Sequence, residues 1–392
     1  MIFVNPYSGT NIDIPNIGLA FAATYHATKV LDLNTLPAPR DRFLEHKTDI
    51  LGISVQSRTY NESLRIKKLY MDKYPDAQVK SVSGFLDVQC CYPYISFDDD
   101  LNVEVRFGDT LPFPDYELFD SFDMFLCNWQ TGRWRYAIMT SLGCPFSCTY
   151  CSAGRRRVDM RSVEHCVEEL RLAKSRWGIS KFVILDDCFN ANKERVIKFC
   201  NMVRPLNLGW GCANGLRADR FDDDTAQALY SSGCDFISFG IESAADDILN
   251  KIGKGETIAQ IEQAIVTAQK YFSVVNGYFI IGLPGSSYES DMESLRWALR
   301  LNVNAHFSYY VPFDRQMYYD SVFYGKDAEP LSEAYSKDMQ KRIFTMTACM
   351  RGDYGGGAFR KAVDMLSLTC KACPSGLLKL VKQGLHRFIG GR

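Results

Sequence analysis

The sequence has almost no excess of charge of either sign, because 45 Lys and Arg balance 46 Asp and Glu and leave a formal net charge of −1. Without a basic excess there is no global attraction to nucleic acid or to an anionic membrane, so neither is an expected partner. No apolar run approaches the roughly 18 residues that a membrane-spanning helix needs. The first residues, MIFVNPYSGT, lack the basic flank and continuous apolar core of a signal peptide. We therefore expect a cytoplasmic protein.

Histidine is scarce, whereas cysteine is abundant. None of the five histidines stands at metal-ligand spacing from a cysteine or carboxylate, so His165 and His306 are expected to be packing or surface residues. Fourteen cysteines are many for a cytosolic protein, where stable disulfides are rare. Five of them stand singly in helix-like or strand-like stretches, where cysteine behaves as a small buried apolar residue. These are Cys166, Cys188, Cys200, Cys212 and Cys234.

The first predicted domain spans residues 1–128, and its residues 1–80 alternate between short apolar strands and helix-like segments. The strand candidates are MIFVNP, KVLDLN and DILGISV, and the helix candidates are IGLAFAATYHAT and YNESLRIKKLYMDKY. Strands that alternate with helices of this length predict a parallel sheet of Rossmann type. The proline-rich segment DTLPFPDYELFD is expected to connect this domain to the next one.

Residues 129–325 continue the alternation in a longer series. The strand candidates are YAIMTSLGC, KFVILDD, GWGCANG, FISFGIES, VVNGYFIIGL and HFSYYVP. Six β/α units build three quarters of a (β/α)8 barrel, and such barrels carry their active sites at the carboxyl ends of the strands. The predicted fold is therefore α/β, with a Rossmann-like domain, a partial (β/α)6 barrel and a short, mostly helical C-terminal segment at residues 326–392.

A cysteine triplet follows the first barrel strand, in TSLGCPFSCTYCSAG. Thiolates at Cys144, Cys148 and Cys151 fit zinc or an iron–sulfur cluster, but zinc would normally require a fourth protein ligand or a catalytic water. A [4Fe–4S] cluster held by three cysteines leaves one iron free to bind a small molecule. This spacing, with Tyr150 before the last cysteine, resembles the signature of the radical S-adenosylmethionine (SAM) enzymes.

The resemblance implies a shared chemistry. In that family the open iron chelates the amino and carboxylate groups of SAM, and an electron from the reduced cluster releases a 5′-deoxyadenosyl radical that abstracts hydrogen from the substrate. It implies a small-molecule substrate and a reducing partner such as flavodoxin or ferredoxin. The cofactors carry the difficult chemistry, while the protein orients them and excludes water.

The resemblance extends over about residues 130–315 and implies SAM-binding residues at the later strand ends. Asp186 and Asp187, in ILDDCF, stand where the family more often has Gly-Gly-Glu, in the motif that holds the SAM amino group. Arg217 is the candidate partner of the SAM carboxylate. The remaining candidates follow the fourth and fifth strands, where the family binds the ribose, the amino acid moiety and adenine. They are Glu242, Ser243, Gly282 and Pro284.

The first domain resembles the cobalamin-binding domain that precedes the barrel in many radical SAM enzymes. With cobalamin, the implied reaction is methylation of an unactivated carbon by a methyl group from methylcobalamin. However, the domain is short and has no Gly-Gly-Pro-His-like turn and no Gly-Glu-Gly-Glu-like stretch. Some relatives have such a domain in reduced form, without cobalamin, and carry out epimerisation, dehydration or oxidation. The missing turns favour this second group, with C-methylation as the alternative.

Three more cysteines lie near the C-terminus, in TACMRGDY and LTCKACPSG. A Cys-x2-Cys pair close to a proline can ligate an auxiliary iron–sulfur cluster, so Cys349, Cys370 and Cys373 are candidate ligands. A fourth ligand would come from Cys90, Cys91 or Cys127. A reduced pair without metal, or a small zinc site, is the alternative.

Two other classes of protein are less consistent with the sequence. A metal-bearing binding module without catalysis would not need polar residues at the strand ends. An RNA-modifying methylthiotransferase usually has three spaced N-terminal cysteines and a small C-terminal RNA-binding barrel, and neither is evident here.

Overall fold

The computed structural model describes residues 1–8, 15–34, 39–55, 59–82, 100–101, 106–151, 153 and 157–310, together with residues 336 and 339. Nearly all of the predicted C-terminal segment lies outside the described residues. The auxiliary-cluster candidates Cys349, Cys370 and Cys373 lie outside them too, as do Cys90 and Cys91, so that cluster stays a prediction.

The N-terminal domain contains a parallel sheet with two helices. Its elements are β1 (Ile2–Asn5), α1 (Ile17–Tyr25), β2 (Val30–Asp32), β3 (Ile50–Ser54), α2 (Tyr60–Lys73), β4 (Gln78–Val82) and β5 (Asp100–Leu101). The strand order is β2-β1-β3-β4-β5, and every neighbouring pair is parallel. This confirms the predicted Rossmann-like sheet. The order reverses between β1 and β3, which is where open α/β sheets bind ligands at their carboxyl edge.

The second domain contains six further parallel strands and a short antiparallel pair. Its elements are α3 (Phe122–Gln130), β6 (Tyr136–Ile138), β7 (Ser141–Leu142), β8 (Asp159–Met160), α4 (Val163–Trp177), β9 (Lys181–Ile184), α5 (Lys193–Val203), β10 (Gly209–Cys212), α6 (Asp223–Ser231), β11 (Cys234–Glu242), α7 (Asp246–Lys251), α8 (Ile258–Gln269), β12 (Val275–Ile281), α9 (Tyr288–Arg300) and β13 (Asn304–Tyr309). The large sheet has the order β13-β12-β11-β10-β9-β6, which confirms the predicted partial (β/α)6 barrel. None of the described helices combines the length and the apolar character that crossing a bilayer requires.

Local sequence signals set the ends of the barrel helices. At the start of α4, Ser162 Oγ accepts a hydrogen bond from the His165 amide, and Gly178 ends the helix with a φ of 66° that favours glycine. At the start of α8, Thr257 and Gln260 form a reciprocal capping box. The loops that carry the strand-end residues are therefore bounded by well-defined helix ends.

Helix α1 lies between the two sheets. Its Ile17 and Phe21 share an apolar cluster with Ala137 and Val183, which alternate along their strands with residues that pack on the barrel helices. Because successive side chains of a strand point to opposite faces, Ala137 and Val183 face away from those helices, toward the concave side of the sheet. The N-terminal domain is thus packed against the inside of the partial barrel. A helix that is apolar on all sides, as α1 is, is typical of this buried position.

Candidate functional site

The three cysteines of the triplet lie on the loop that follows β7. The thiols of Cys144, Cys148 and Cys151 form no disulfide and are partly buried. The loop turns back on itself, because the Cys151 amide donates to the Cys148 carbonyl oxygen at 3.2 Å. Its first residue, Gly143, donates its amide to Asp187 Oδ2 at 2.8 Å, so the loop is attached to the end of β9.

The electrostatics of the three thiols fit a cationic iron–sulfur cluster. Burial raises the pKa of Cys148 and of Cys151, and neighbouring cysteines of the triplet raise both further because adjacent thiolates repel one another. Iron would relieve this repulsion, as in other thiolate-held clusters. Among the described residues, no three His, Cys, Asp or Glu side chains are grouped so as to hold a single metal ion.

Cys188 contributes to the site in a way that its sequence position did not indicate. It is buried, as predicted for an isolated cysteine, but its thiol also donates a hydrogen bond to Cys144 and so lowers the pKa of Cys144 to about 7. The two residues lie 44 positions apart and meet only because β6 and β9 are neighbours in the barrel. No local pattern would have revealed this contact.

The two aspartates after β9 have different environments. Asp186 is buried and accepts three hydrogen bonds: from the Thr140 amide at 2.6 Å, from Thr140 Oγ1 at 2.5 Å and from Ser141 Oγ at 2.7 Å. These bonds fix the turn between β6 and β7, directly before the cysteine loop. Asp187 is only partly buried, and it contacts Gly143 at the start of that loop. Of the two, Asp187 is the better candidate for binding the SAM amino group.

Substituting the two aspartates should separate support of the turn from ligand binding. Replacing Asp186 with alanine leaves a buried amide and two hydroxyls without their acceptor, so we expect a loss of about 2–4 kcal/mol in the free energy of unfolding of the cluster-free protein. Asp187→Asn keeps an acceptor for Gly143 and should change that free energy by less than about 1 kcal/mol, while it weakens SAM binding. Urea unfolding and SAM titration test both effects. Wild-type stability of the Asp186 variant would contradict this assignment.

Arg217 is buried and joins three parts of the site. Its Nε donates to Asp219 Oδ1 at 2.8 Å and its Nη1 to the Lys254 carbonyl oxygen at 2.7 Å, and the guanidinium lies 3.7 Å from the ring centroid of Phe146. Phe146 belongs to the cysteine loop, so Arg217 packs on the loop that would hold the cluster. Its contact with the SAM carboxylate stays a prediction.

Glu242 ends β11 in a strained backbone conformation. Its φ is 69°, a value that costs a non-glycine residue roughly 1–2 kcal/mol and is typical of functional sites. The carboxylate accepts a hydrogen bond from Lys254 Nζ at 3.2 Å and shares one with the Tyr150 hydroxyl. Burial raises the pKa of Tyr150 well above its usual value, and the Glu242 charge raises it further. Tyr150 and Glu242, both predicted site residues, therefore touch.

Lys254 and Glu256 were not among the site residues predicted from the sequence. Both are buried, and Lys254 Nζ lies 3.4 Å from Glu256 Oε2. Burial alone would lower the pKa of Lys254, but the Glu242 and Glu256 carboxylates hold it above its usual value, so the side chain is an ammonium. In the sequence, Lys254 and Glu256 stand directly before the capping box of α8. The sequence does not show which carboxylates Lys254 meets in the folded protein.

The other predicted residues line the ends of β11 and β12. Ser243 Oγ is buried and has no hydrogen-bond partner among the described residues, which fits a hydroxyl that would bind a ligand. Gly282 has a φ of 78°, and its amide donates to Asp291 Oδ2 at 2.9 Å. Pro284 is exposed in the turn that follows. Their predicted contacts with SAM stay predictions.

Comparison with known proteins identifies the barrel. The sequence model of the radical SAM superfamily matches residues 138–298, which include the cysteine triplet and the strand ends described above. An uncharacterised methyltransferase of Pyrococcus horikoshii is 34% identical over 52% of this chain and 45% of its own length. Cytidylyl-2-hydroxyethylphosphonate methyltransferase of Streptomyces wedmorensis is 25% identical over 45% of this chain and 35% of its own length. The chain thus spans less than half the length of these relatives.

Other matching relatives are named as methyltransferases, as an anaerobic magnesium-protoporphyrin IX monomethyl ester cyclase and as methylthiotransferases.

The fold of this chain is similar to that of TsrM, a radical SAM methyltransferase of Kitasatospora setae. The TM-score is 0.62 at 14% identity, and the match covers 78% of this chain and 72% of TsrM. Another structure of TsrM contains cobalamin and a [4Fe–4S] cluster. The matched 78% of this chain is longer than the barrel domain, so the similarity extends into the N-terminal domain. Residues 138–298 of this chain therefore match the radical SAM superfamily, and the two-domain fold resembles that of radical SAM enzymes with an N-terminal cobalamin-binding-type domain.

Proposed function

We propose that this radical SAM enzyme is a cobalamin-dependent methyltransferase that acts on a carbon atom of a small molecule. The observation that carries the proposal is the parallel sheet with order β2-β1-β3-β4-β5, packed through α1 against the concave side of the barrel. The sequence analysis favoured epimerisation, dehydration or oxidation without cobalamin, and kept C-methylation as the alternative. The names of the relatives support that alternative better than the favoured reading.

The carboxyl edge of the N-terminal sheet offers uncharged polar groups beside the buried carboxylate of Asp32, which accepts from Asn5 Nδ2 at 3.0 Å. Asn16 caps α1, and its Nδ2 donates to Ser54 Oγ at 3.0 Å and to Asn5 Oδ1 at 3.3 Å. These three residues lie at the ends of β1 and β3 and the start of α1, which is the switch point of the sheet. Amides and hydroxyls are suitable partners for the neutral carboxamide side chains of cobalamin. We therefore assign this edge as the side on which cobalamin would bind.

In this proposal the chain holds and shields three cofactors. When bound, the cluster and SAM supply a hydrogen-abstracting radical, and cobalamin supplies the methyl group. The thiolates of Cys144, Cys148 and Cys151 would hold the cluster. Asp187 and Ser243 would orient SAM, while the apolar contacts of α1 with Ala137 and Val183 keep water from the inner side of the barrel. A small-molecule substrate and a flavodoxin-like or ferredoxin-like reductant would be the partners.

Metal content and the fate of SAM test the proposal. We would purify the protein anaerobically from cells supplied with cobalamin, quantify iron, sulfide and cobalt, and then add a reductant and SAM with a deuterated methyl group. The expected result is about four irons and about one cobalt per chain, or about eight irons if an auxiliary cluster is present. Both S-adenosylhomocysteine and 5′-deoxyadenosine should form.

A protein without cobalt that forms only 5′-deoxyadenosine would contradict methyl transfer. It would instead support the epimerisation, dehydration or oxidation reading. As a control, the triple cysteine variant should still bind cobalt, because its N-terminal sheet is unchanged, but should form no 5′-deoxyadenosine.

A further inference from the structure

A short antiparallel pair of strands stands at the base of the cysteine loop. Residues 143–158 contain the cysteine triplet and connect β7 to β8, and these two strands pair Leu142 with Asp159 and Ser141 with Met160. One position further from the loop, the Arg161 amide donates to the Thr140 carbonyl oxygen at 3.1 Å. We call residues 140–142 and 159–161 the neck of the cysteine loop.

The neck needs support from the rest of the protein. Strands β7 and β8 have two residues each, and a two-stranded pair is marginally stable in water even when its strands are longer. Asp186 supports one side, because it accepts hydrogen bonds from the hydroxyls of Thr140 and Ser141. These bonds fix the strand that enters the loop, but they do not join it to the strand that leaves the loop.

Arg195, on α5, joins the two strands of the neck. Its Nη2 donates to the Thr140 carbonyl oxygen and to the Arg161 carbonyl oxygen, each at 3.0 Å, and its Nη1 donates to Thr140 Oγ1 at 3.0 Å. Within the described part of the chain, every hydrogen bond that the Arg195 guanidinium donates goes to the neck. Because Thr140 precedes the loop and Arg161 follows it, this one side chain fixes how far apart the ends of the loop lie.

Arg195 also places a positive charge near Asp186. Burial raises the pKa of Asp186, whereas the hydrogen bonds from Thr140 and Ser141 and the charge of Arg195 oppose that rise. Asp186, Thr140 and Arg195 therefore form one connected polar network beneath the cysteine loop, and a network whose members are paired makes a segment rigid. A site that is rigid in advance loses less conformational entropy when its ligand binds.

We propose that Arg195 is a positioning residue for the [4Fe–4S] cluster, which holds the two ends of the cysteine loop together and so keeps the three thiolates in the geometry that binds iron. Arg195 acts through the neck, since its hydrogen bonds go to Thr140 and Arg161. The proposal rests on a cluster held by Cys144, Cys148 and Cys151. It does not rest on cobalamin or on methyl transfer.

The test measures how fast the cluster is lost from cobalamin-free protein with a reconstituted cluster, so a failure of the methyltransferase proposal does not affect it. EDTA is added anaerobically, and the decay of the visible absorbance of the cluster gives the rate. Arg195→Met should lose the cluster at least about 10-fold faster than the wild type, because the two carbonyl oxygens are no longer joined. The electron paramagnetic resonance spectrum of its reduced cluster should broaden, because the thiolates then adopt several arrangements.

The conservative variant Arg195→Lys distinguishes the bridge from the charge. It keeps the positive charge, but a single ammonium does not reproduce the planar fork with which the guanidinium reaches both carbonyl oxygens. We therefore expect a rate of cluster loss between those of Arg195→Met and the wild type.

Two controls separate positioning from general stability. Lys198→Met removes an exposed lysine of the same helix, which pairs with Glu164, and should leave the rate of cluster loss unchanged. Leu295→Ala creates a cavity beneath α9, which packs on β12 at the other end of the barrel sheet from β6. It should lower the resistance of the barrel to urea without accelerating cluster loss.

The outcomes decide the proposal as follows. Cluster loss at the wild-type rate in Arg195→Met would overturn it, and so would equally fast loss in Leu295→Ala. If Arg195→Met does not fold, Arg195→Lys decides: faster cluster loss than in the wild type supports the proposal, and loss at the wild-type rate overturns it.

Discussion

Replacing Cys144, Cys148 and Cys151 together with alanine is expected to abolish the formation of 5′-deoxyadenosine from SAM. The three thiols lie on the loop after β7, and together they would ligate three of the four irons of a cluster whose fourth iron would bind SAM. Without them no electron reaches the sulfonium, so the product should fall to the background of a reaction without enzyme. Each single substitution should act nearly as strongly, because the three ligands work as a unit.

The measurement is chromatographic detection of 5′-deoxyadenosine after anaerobic incubation with SAM and a reductant, together with iron content. Cys200→Ala is the matched control, because Cys200 is buried in α5 and alanine is favourable in a helix. This variant should retain iron and activity. Formation of 5′-deoxyadenosine by the triple variant would contradict the placement of the cluster, whereas about four irons remaining without that product would indicate an auxiliary cluster elsewhere in the chain.

Arg161→Met is expected to cost about 3–5 kcal/mol in the free energy of unfolding of the barrel, because it leaves a buried carboxylate unpaired. Arg161 is 1% exposed, and its Nη2 lies 2.5 Å from Glu169 Oε2. Tyr136 also donates to Glu169, at 2.9 Å, and burial raises the pKa of Glu169 even with Arg161 present. Without Arg161, the buried Glu169 carboxylate would lose the positive charge that it pairs with.

The pH dependence follows from the direction of the Glu169 shift. A carboxyl group whose pKa is raised in the folded state destabilises the fold when it is ionised. The loss of stability is absent at a pH below the pKa of the group in the unfolded protein, and it develops as the pH rises toward the pKa of the group in the folded protein. Arg161→Met raises the folded pKa of Glu169 further. The variant should therefore lose less stability at about pH 5 than at about pH 8.

Urea unfolding followed by tryptophan fluorescence measures this loss in the barrel, because all five tryptophans lie between residues 129 and 297. The control is Arg161→Met combined with Glu169→Met, which removes both charges and should recover most of the stability. Equal losses in the single and double variants would show that packing of the Arg161 side chain, and not its charge, is what matters.

The two sheets and the cysteine loop could be predicted because their signals are local. Strand and helix periodicity extends over ten to fifteen residues, and the Cys-x3-Cys-x2-Cys spacing lies within eight. The structure confirms both the parallel N-terminal sheet and the six-stranded barrel sheet. The placement of strand-end candidates also followed from the sequence, since all parallel strands of such a barrel present their carboxyl ends at one edge.

The roles of individual residues at that edge depended on contacts between distant segments. Asp186 was predicted to bind SAM, but its oxygens accept from Thr140 and Ser141, more than 40 residues earlier. Lys254 and Cys188 were not predicted to belong to the site, because nothing near them in sequence shows which carboxylate or thiol they meet.

The sequence by itself determined the α/β architecture and indicated the resemblance to the radical SAM family, since strand and helix periodicity and the spacing of the cysteine triplet are short-range features. The tertiary structure alone decided which polar groups are paired within the protein and which, like Ser243 Oγ, have no hydrogen-bond partner among the described residues. The physical reason is that a buried polar group must find a hydrogen-bond partner, and the identity of that partner is set by the packing of strands and loops that are far apart in the chain.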